Sequence, residues 1–295
     1  MKRTVISLVT VVACHSSSVE APAEDAKGVR IAIVQSGYPG SPDAAKGFLD
    51  TLTSYLERKT TMDGLSAIYH NVPQNALADI ARTPPRFGVV SLGFYLENRA
   101  RLGLVARLET TPLERYLIMV RRGTAKSLAD LDGQKVAGGA LHEPGFVDSV
   151  VFPRATIEDW KPEPTLRPSR ALRKLTRGNY VALILNGREY RSFGALGKLE
   201  GLTKLAESEA LPVALVVSFA PDVRKEHEKG GKPKPAKDSG EIDRLVDAFR
   251  SLHEDTSGRE ILATMGCKGF VEVDARRLSS IEMRFDAGTV KTPPK

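Results

Sequence analysis

The chain is poor in the residues that most often carry chemistry. It has only two cysteines, Cys14 and Cys267, and a single tryptophan, Trp160, in 295 residues. A structural disulfide is excluded once Cys14 is modified, because Cys267 then has no partner. Cys267 follows Met265-Gly266, between a helix end and a strand, and reads as a small buried hydrophobe rather than a catalytic thiol. The five histidines, His15, His70, His142, His227 and His253, show no HxxE, HExxH or paired spacing, so no metal site is indicated. No G-x-S-x-G elbow is present, and Gly37-Tyr38-Pro39-Gly40 reads as a turn, not a phosphate loop. No internal repeat is visible and no cofactor is called for.

What is present begins with an export signal. Lys2-Arg3 supplies a positive start, Thr4–Val12 an apolar core too short to span a bilayer, and Val11-Val12-Ala13-Cys14 a lipoprotein box. Cys14 is therefore the expected lipidation site, with residues 1–28 as signal and tether and the mature chain held to the inner or outer membrane by its acyl chains. The rival reading is a plain secretory signal with an incidental cysteine. No other apolar run approaches transmembrane length, so a soluble body is expected. The formal charge of +7 falls to +5 without Lys2 and Arg3, and Lys225, Lys229, Lys232, Lys234 and Lys237 crowd one Pro/Gly-rich stretch. That stretch, 222–240, reads as a mobile basic loop, either simply solvated or touching anionic head groups or a membrane partner. Nucleic acid is not expected as a partner, because no aromatics alternate with these lysines.

Hydrophobic periodicity gives alternating strands and helices, hence an α/β fold. Arg30–Val34 reads as a strand, Pro42–Arg58 as a helix begun by proline, Leu65–His70 as a strand, Pro73–Arg82 as a helix and Arg86–Ser91 as a third strand. Leu104–Leu108, the continuous run Val181–Leu185, and Val213–Phe219 are further strands, and Glu241–Leu252 is an amphipathic helix. Tyr116–Gly139 packs strand, charged turn, one helical turn closed by Gly133, and a second strand into 24 residues. A flexible loop, Ala140–Gly145, is expected after it.

Four segments together resemble type II periplasmic substrate-binding proteins, in the phosphate/phosphonate-binding branch of ABC-transporter receptors. They are Arg30–Val34 with its small polar loop, Phe87–Gly93 followed by Tyr95, the Ser-Leu-Ala-Asp-Leu-x-Gly-x-x-Val turn from Ser127, and Gly258–Leu262 running to Gly269-Phe270. The resemblance covers residues 29–275 and implies two lobes, each a mostly parallel sheet flanked by helices, with a hinge and a ligand cleft between. Residues 29–112 and 211–291 would form one lobe, 113–210 the other, and 292–295 a tail. Strand ends would then line the cleft: Ser36 and Tyr38, then Ser91, Leu92 and Tyr95, then Leu141, His142, Glu143 and Phe146, then Asn186.

The second-lobe loop departs from the resemblance. Phosphonate-binding members carry a Ser/Thr-rich cluster with glycine there, whereas this chain has Leu141-His142-Glu143-Pro144-Gly145-Phe146. Glu143 would repel an anion, Pro144 removes an amide donor, and Leu141 and Phe146 add apolar surface. The expected function is that of a monomeric periplasmic solute-binding lipoprotein, not an enzyme, that delivers its ligand to a membrane transporter. The ligand is either a phosphate- or phosphonate-type anion or, given that loop, a lipid or sterol. The alternatives are an enzyme on the same fold with His142 and Glu143 as an acid/base pair, and a membrane-anchored adaptor without a small ligand.

Overall fold

The computed structural model describes residues 28–153, 160–220 and 239–289. The signal and tether with Cys14, nearly all of the basic loop 222–240 and the tail 292–295 lie outside the described residues. The chain opens with β1 (Arg30–Val34), α1 (Pro42–Thr60), β2 (Ser66–His70), α2 (Pro73–Arg82), β3 (Phe87–Ser91), α3 (Leu92–Leu102) and β4 (Leu104–Thr111). It crosses to β5 (Tyr116–Arg121), β6 (Lys135–Gly138), α4 (Pro144–Phe146), β7 (Lys161–Pro164), α5 (Pro168–Thr176), β8 (Ala182–Asn186), α6 (Gly187–Ala195) and β9 (Leu202–Glu207). It returns to β10 (Ala214–Phe219), α7 (Ser239–Arg250), α8 (Thr256–Met265), β11 (Gly269–Glu272) and α9 (Ala275–Thr289).

Local chemistry sets these boundaries. Ser41 caps α1 by accepting from the Ala44 amide, and Pro42 fills the first turn, where its missing N–H is not needed. Ser91 does the same for α3, accepting from the Phe94 amide, and Gly103 ends that helix at φ 59°, where a side chain would be strained. β3 is buried along its whole length, which explains its unbroken apolar run between two neighbouring strands.

The strands form two sheets, ordered β11-β4-β10-β3-β1-β2 and β7-β6-β8-β5-β9. The two-lobed α/β architecture is as expected, but the sheets are mixed rather than mostly parallel. Only β2-β1-β3 and β7-β6-β8 run parallel, while β10 lies antiparallel to β3 and β5 antiparallel to β8. The reason is the crossing: a strand that enters from the other lobe arrives without a right-handed crossover helix and takes the reverse direction. The two crossing segments are bonded to each other, the Glu114 and Leu211 amides each donating to the other's carbonyl at 2.8 Å.

Among the described residues three apolar clusters form the core. One covers a face of the first sheet with Ile31, Ile33, Leu52, Phe87, Phe249 and Phe270, and a second covers the outer face of the second sheet with Leu117, Leu172 and Leu183. The third runs between the lobes, joining Val34, Val90 and Phe94 to Ile118, Leu141, Phe146 and Ile184. α9 closes this third cluster with Ile281 and Phe285, packing on both α4 and the wide turn Val147–Val151 that continues it. Each large side chain buried there stabilises the packed lobes by about 1.5–3 kcal/mol. The expected flexible loop Ala140–Gly145 is instead a short 3-10 turn over Ala140–His142 running into α4. Pro144 starts that helix, and burial of Leu141 and Phe146 fixes it.

Candidate functional site

The ends of β1 and β3 and the start of α3 meet at a cradle of hydrogen-bond donors. The Ser91 hydroxyl lies 3.4 Å from that of Ser36, and its oxygen accepts from the Phe94 amide at 3.3 Å. The first amides of a helix carry partial positive charge and suit an anion. Here the site holds one: Ser91 Oγ donates to Glu143 Oε1 at 2.5 Å, and the Ser36 hydroxyl and Phe94 amide lie close enough to lower the pKa of the same carboxyl. Glu143 comes from the other lobe and is only 3% exposed. Gly93 makes room for it, since a Cβ there would collide with Glu143 Oε2 and approach Phe146 to 2.9 Å. Burial pushes the Glu143 carboxyl up to about 7, with the neighbouring Glu97 raising it further and the serine and amide donors pulling it back.

Beside the cradle the lobes touch backbone to backbone. A Cβ on Gly139 would lie 2.8 Å from the Gly37 carbonyl oxygen, so both positions need glycine for this approach. Tyr38 and Tyr116 stand next to this contact with their phenols desolvated, which drives both pKa values well up. Glu189 and Arg188, just past β8, act on the Tyr38 phenol from the second lobe. Burial raises the Glu189 carboxyl to about 7, while its hydrogen bond from the Asn186 amide and the nearby Arg188 oppose the rise. Glu114 in the crossing segment is buried and gripped by both terminal nitrogens of Arg191, at 2.8 and 2.5 Å, tying the hinge to α6.

The sequence-predicted residues divide sharply. Ser36, Ser91 and Glu143 come together at the cradle, while Tyr38 lies to the side, near Glu189 and Arg188. Leu92 is buried in the first turn of α3, and Leu141 (3% exposed) and Phe146 (1%) are core residues, Phe146 meeting Tyr116 edge-on at 5.7 Å. Tyr95 turns away, its hydroxyl donating to Glu282 of α9 at 2.8 Å. Asn186 is a helix cap, accepting from the Glu189 amide. His142 lines a pocket of about 520 Å³ with Thr165, Arg167, Arg170, Lys174 and Tyr180, and burial lowers its pKa. It therefore cannot pair with Glu143, its neighbour in sequence, as an acid and base. Arg115 bonds the Ser208 carbonyl at 2.7 Å and Glu207 at 3.4 Å, and Trp160 packs on Phe152. Cys267 is half-buried against the first-lobe core, its thiol raised to about 11 by desolvation. Tyr116, Glu189 and Gly93 were not among the predicted site residues. Their only signal was position, just after a crossing or a strand end.

A two-sheet α/β molecule with paired crossing segments, and a donor cradle where the sheets face, is a hinged solute-binding protein. The chain belongs to the family of periplasmic substrate-binding proteins of phosphonate ABC transporters, whose pattern matches residues 40–278. That family is one of binding receptors. Among solved structures, it is similar to XAC2383 from Xanthomonas citri bound to chloride ion, at 12% identity and a TM-score of 0.69, covering 90% of this chain and 99% of that one. It is also similar to PhnD1 from Prochlorococcus marinus in complex with methylphosphonate, at 11% identity and a TM-score of 0.63, covering 88% and 97%. A third is a binding protein of an ABC phosphonate transporter from Pseudomonas aeruginosa, at 12% identity and a TM-score of 0.60, covering 90% and 91%. At these identities the likeness carries the fold. No curated protein matches the chain.

Proposed function

We propose that the protein captures a small solute with a tetrahedral anionic head, of the phosphonate or phosphate class, in the interlobe cleft and presents it to a membrane transporter. The observation that carries this is the cluster of two serine hydroxyls and a helix-start amide around Ser91, whose Oγ donates to one carboxylate. Those donors match the oxygens of an oxyanion and offer nothing to an apolar body. The lipid or sterol reading rested on Leu141 and Phe146, and both are committed to packing between the lobes. Methylphosphonate in the similar PhnD1 supports the same ligand class. Lipid attachment through Cys14 to the inner or outer membrane would keep the receptor near its transporter, and a single chain holds the whole cleft, so a monomer suffices.

Calorimetric titration of the mature chain and its S36A variant with methylphosphonate, phosphate and methanesulfonate tests this. One anion per chain is expected, with affinity falling about tenfold or more in S36A through the lost charge-assisted bond. A co-purifying lipid in native mass spectrometry, together with silence toward all three anions, would overturn the reading.

A further inference from the structure

We propose that Glu143 is an internal ligand of the cleft: its carboxylate fills the anion cradle and latches the two lobes together, and a solute binds by displacing it. The inference rests on the reading of the cradle as an anion site. Ser91, which donates to Glu143, and the Ser36 hydroxyl and Phe94 amide gathered on it belong to the first sheet's strand ends and α3, whereas Glu143 belongs to the turn after β6. The bond therefore spans the lobes, as a bound solute's contacts do in a hinged receptor, and stabilises the closed arrangement in the same way.

The groups facing Glu143 agree with this role. From α3 comes Glu97, its pKa raised by burial and lowered in part by the Gly145 and Phe146 amides, and from β5 comes the Tyr116 phenol. On α9, which packs behind α4, Glu282 accepts from Tyr95 and Asp286 accepts from Arg99, so both acids are held away from the cradle. The serines and the helix-start amide thus form the complementary surface that holds the carboxylate. Pro144, directly after Glu143, starts α4, and the buried Phe146 pins that helix, which fixes the carboxylate's direction.

A tethered competitor changes what the receptor accepts. Its effective concentration is at least of millimolar order, so an incoming group must bind the same donors better than a carboxylate does. A simple monocarboxylate offers the cradle no more than Glu143 already supplies. A phosphonate or phosphate brings a third oxygen and a second charge. The latch therefore selects tetrahedral anions over carboxylates.

Small-angle scattering of the full mature chain without added ligand, alongside methylphosphonate titration, tests the latch on the native protein and on E143S. The native chain should be compact and bind weakly. E143S should expand without ligand, contract on adding methylphosphonate and bind it at least about tenfold more tightly. E143Q, which keeps the shape and loses the charge, should fall between the two, and G93A, whose methyl excludes the carboxylate, should also expand. An E143S protein as compact as the native one, or one that binds the anion but no tighter than native, overturns the proposal. An E143S protein that expands yet takes no anion leaves the latch standing and removes the anion reading of the cleft.

Discussion

The first-lobe wall of the cleft, from Ser36 to Phe94, presents donors to the site, while the second-lobe wall, from Leu141 to Phe146, presents one acceptor between two apolar side chains. The first wall is built from strand ends and the start of a helix, which supplies a backbone amide and places two serine hydroxyls beside it. The second wall depends on side-chain identity in a short turn and is free to change. A receptor can therefore keep its anion cradle while its opposite wall is rewritten, and here the rewritten wall answers the cradle directly.

The largest expected effect comes from the apolar part of that second wall. Phe146→Ala should destabilise the protein by about 3–5 kcal/mol in urea unfolding, because the ring is fully buried between the lobes. A loss under about 1 kcal/mol would show that the lobes do not depend on this packing. Next is the acidic part. The Glu143 and Glu189 carboxyls sit at about 7 in the folded chain against an ordinary value of 4.5. Between those values the folded state holds protons that the unfolded chain has released, so stability is greatest below pH 4.5 and falls as pH rises to about 7. Each carboxyl contributes on the order of 3 kcal/mol to that fall. Unfolding curves measured across this range should slope downward, and Glu143→Gln should remove part of the slope; a flat native profile would contradict the burial.

Gly139→Ala tests the backbone contact beside the cradle. Its Cβ meets the Gly37 oxygen at 2.8 Å, and relieving that contact should part the lobes or cost about 1–3 kcal/mol. Unchanged scattering and an unchanged unfolding midpoint would mean that the two turns yield without effect. The smallest effect is expected from His142→Ala, adjacent in sequence but lining the basic pocket. Anion affinity and lobe opening should stay within about twofold of native, a change near 0.4 kcal/mol. A tenfold loss would place His142 in the cleft after all.

Much of the fold was legible because it depends on local patterns. The strand at Arg30–Val34, the helix starting at Pro42 and the helix at Pro73–Arg82 carry their own periodicity and punctuation, and the structure places them within a residue or two. Helices α3, α5, α6 and α9 were not read. α3 and α6 begin immediately after a strand, with Ser91 and Asn186 doubling as strand end and cap, so no loop announces them. The basic α5 shows only three buried positions, too few to dominate its sequence. At the site, the serines were visible as strand-end hydroxyls, and Glu143 as an acid out of place. Its bonding partner was invisible, because Ser91 lies 52 residues away in sequence and meets it only where the lobes pack.

The sequence alone determined the two-lobed α/β class, the order of most of its strands and the presence of an acidic, apolar turn where hydroxyls were expected. Only the tertiary structure decided what that turn does. Read in isolation a carboxylate repels anions, but folded against two serines and a helix start it becomes the anion. The difference is one of distance, since charge acts by what stands within a few ångströms, and that is set by how the lobes pack.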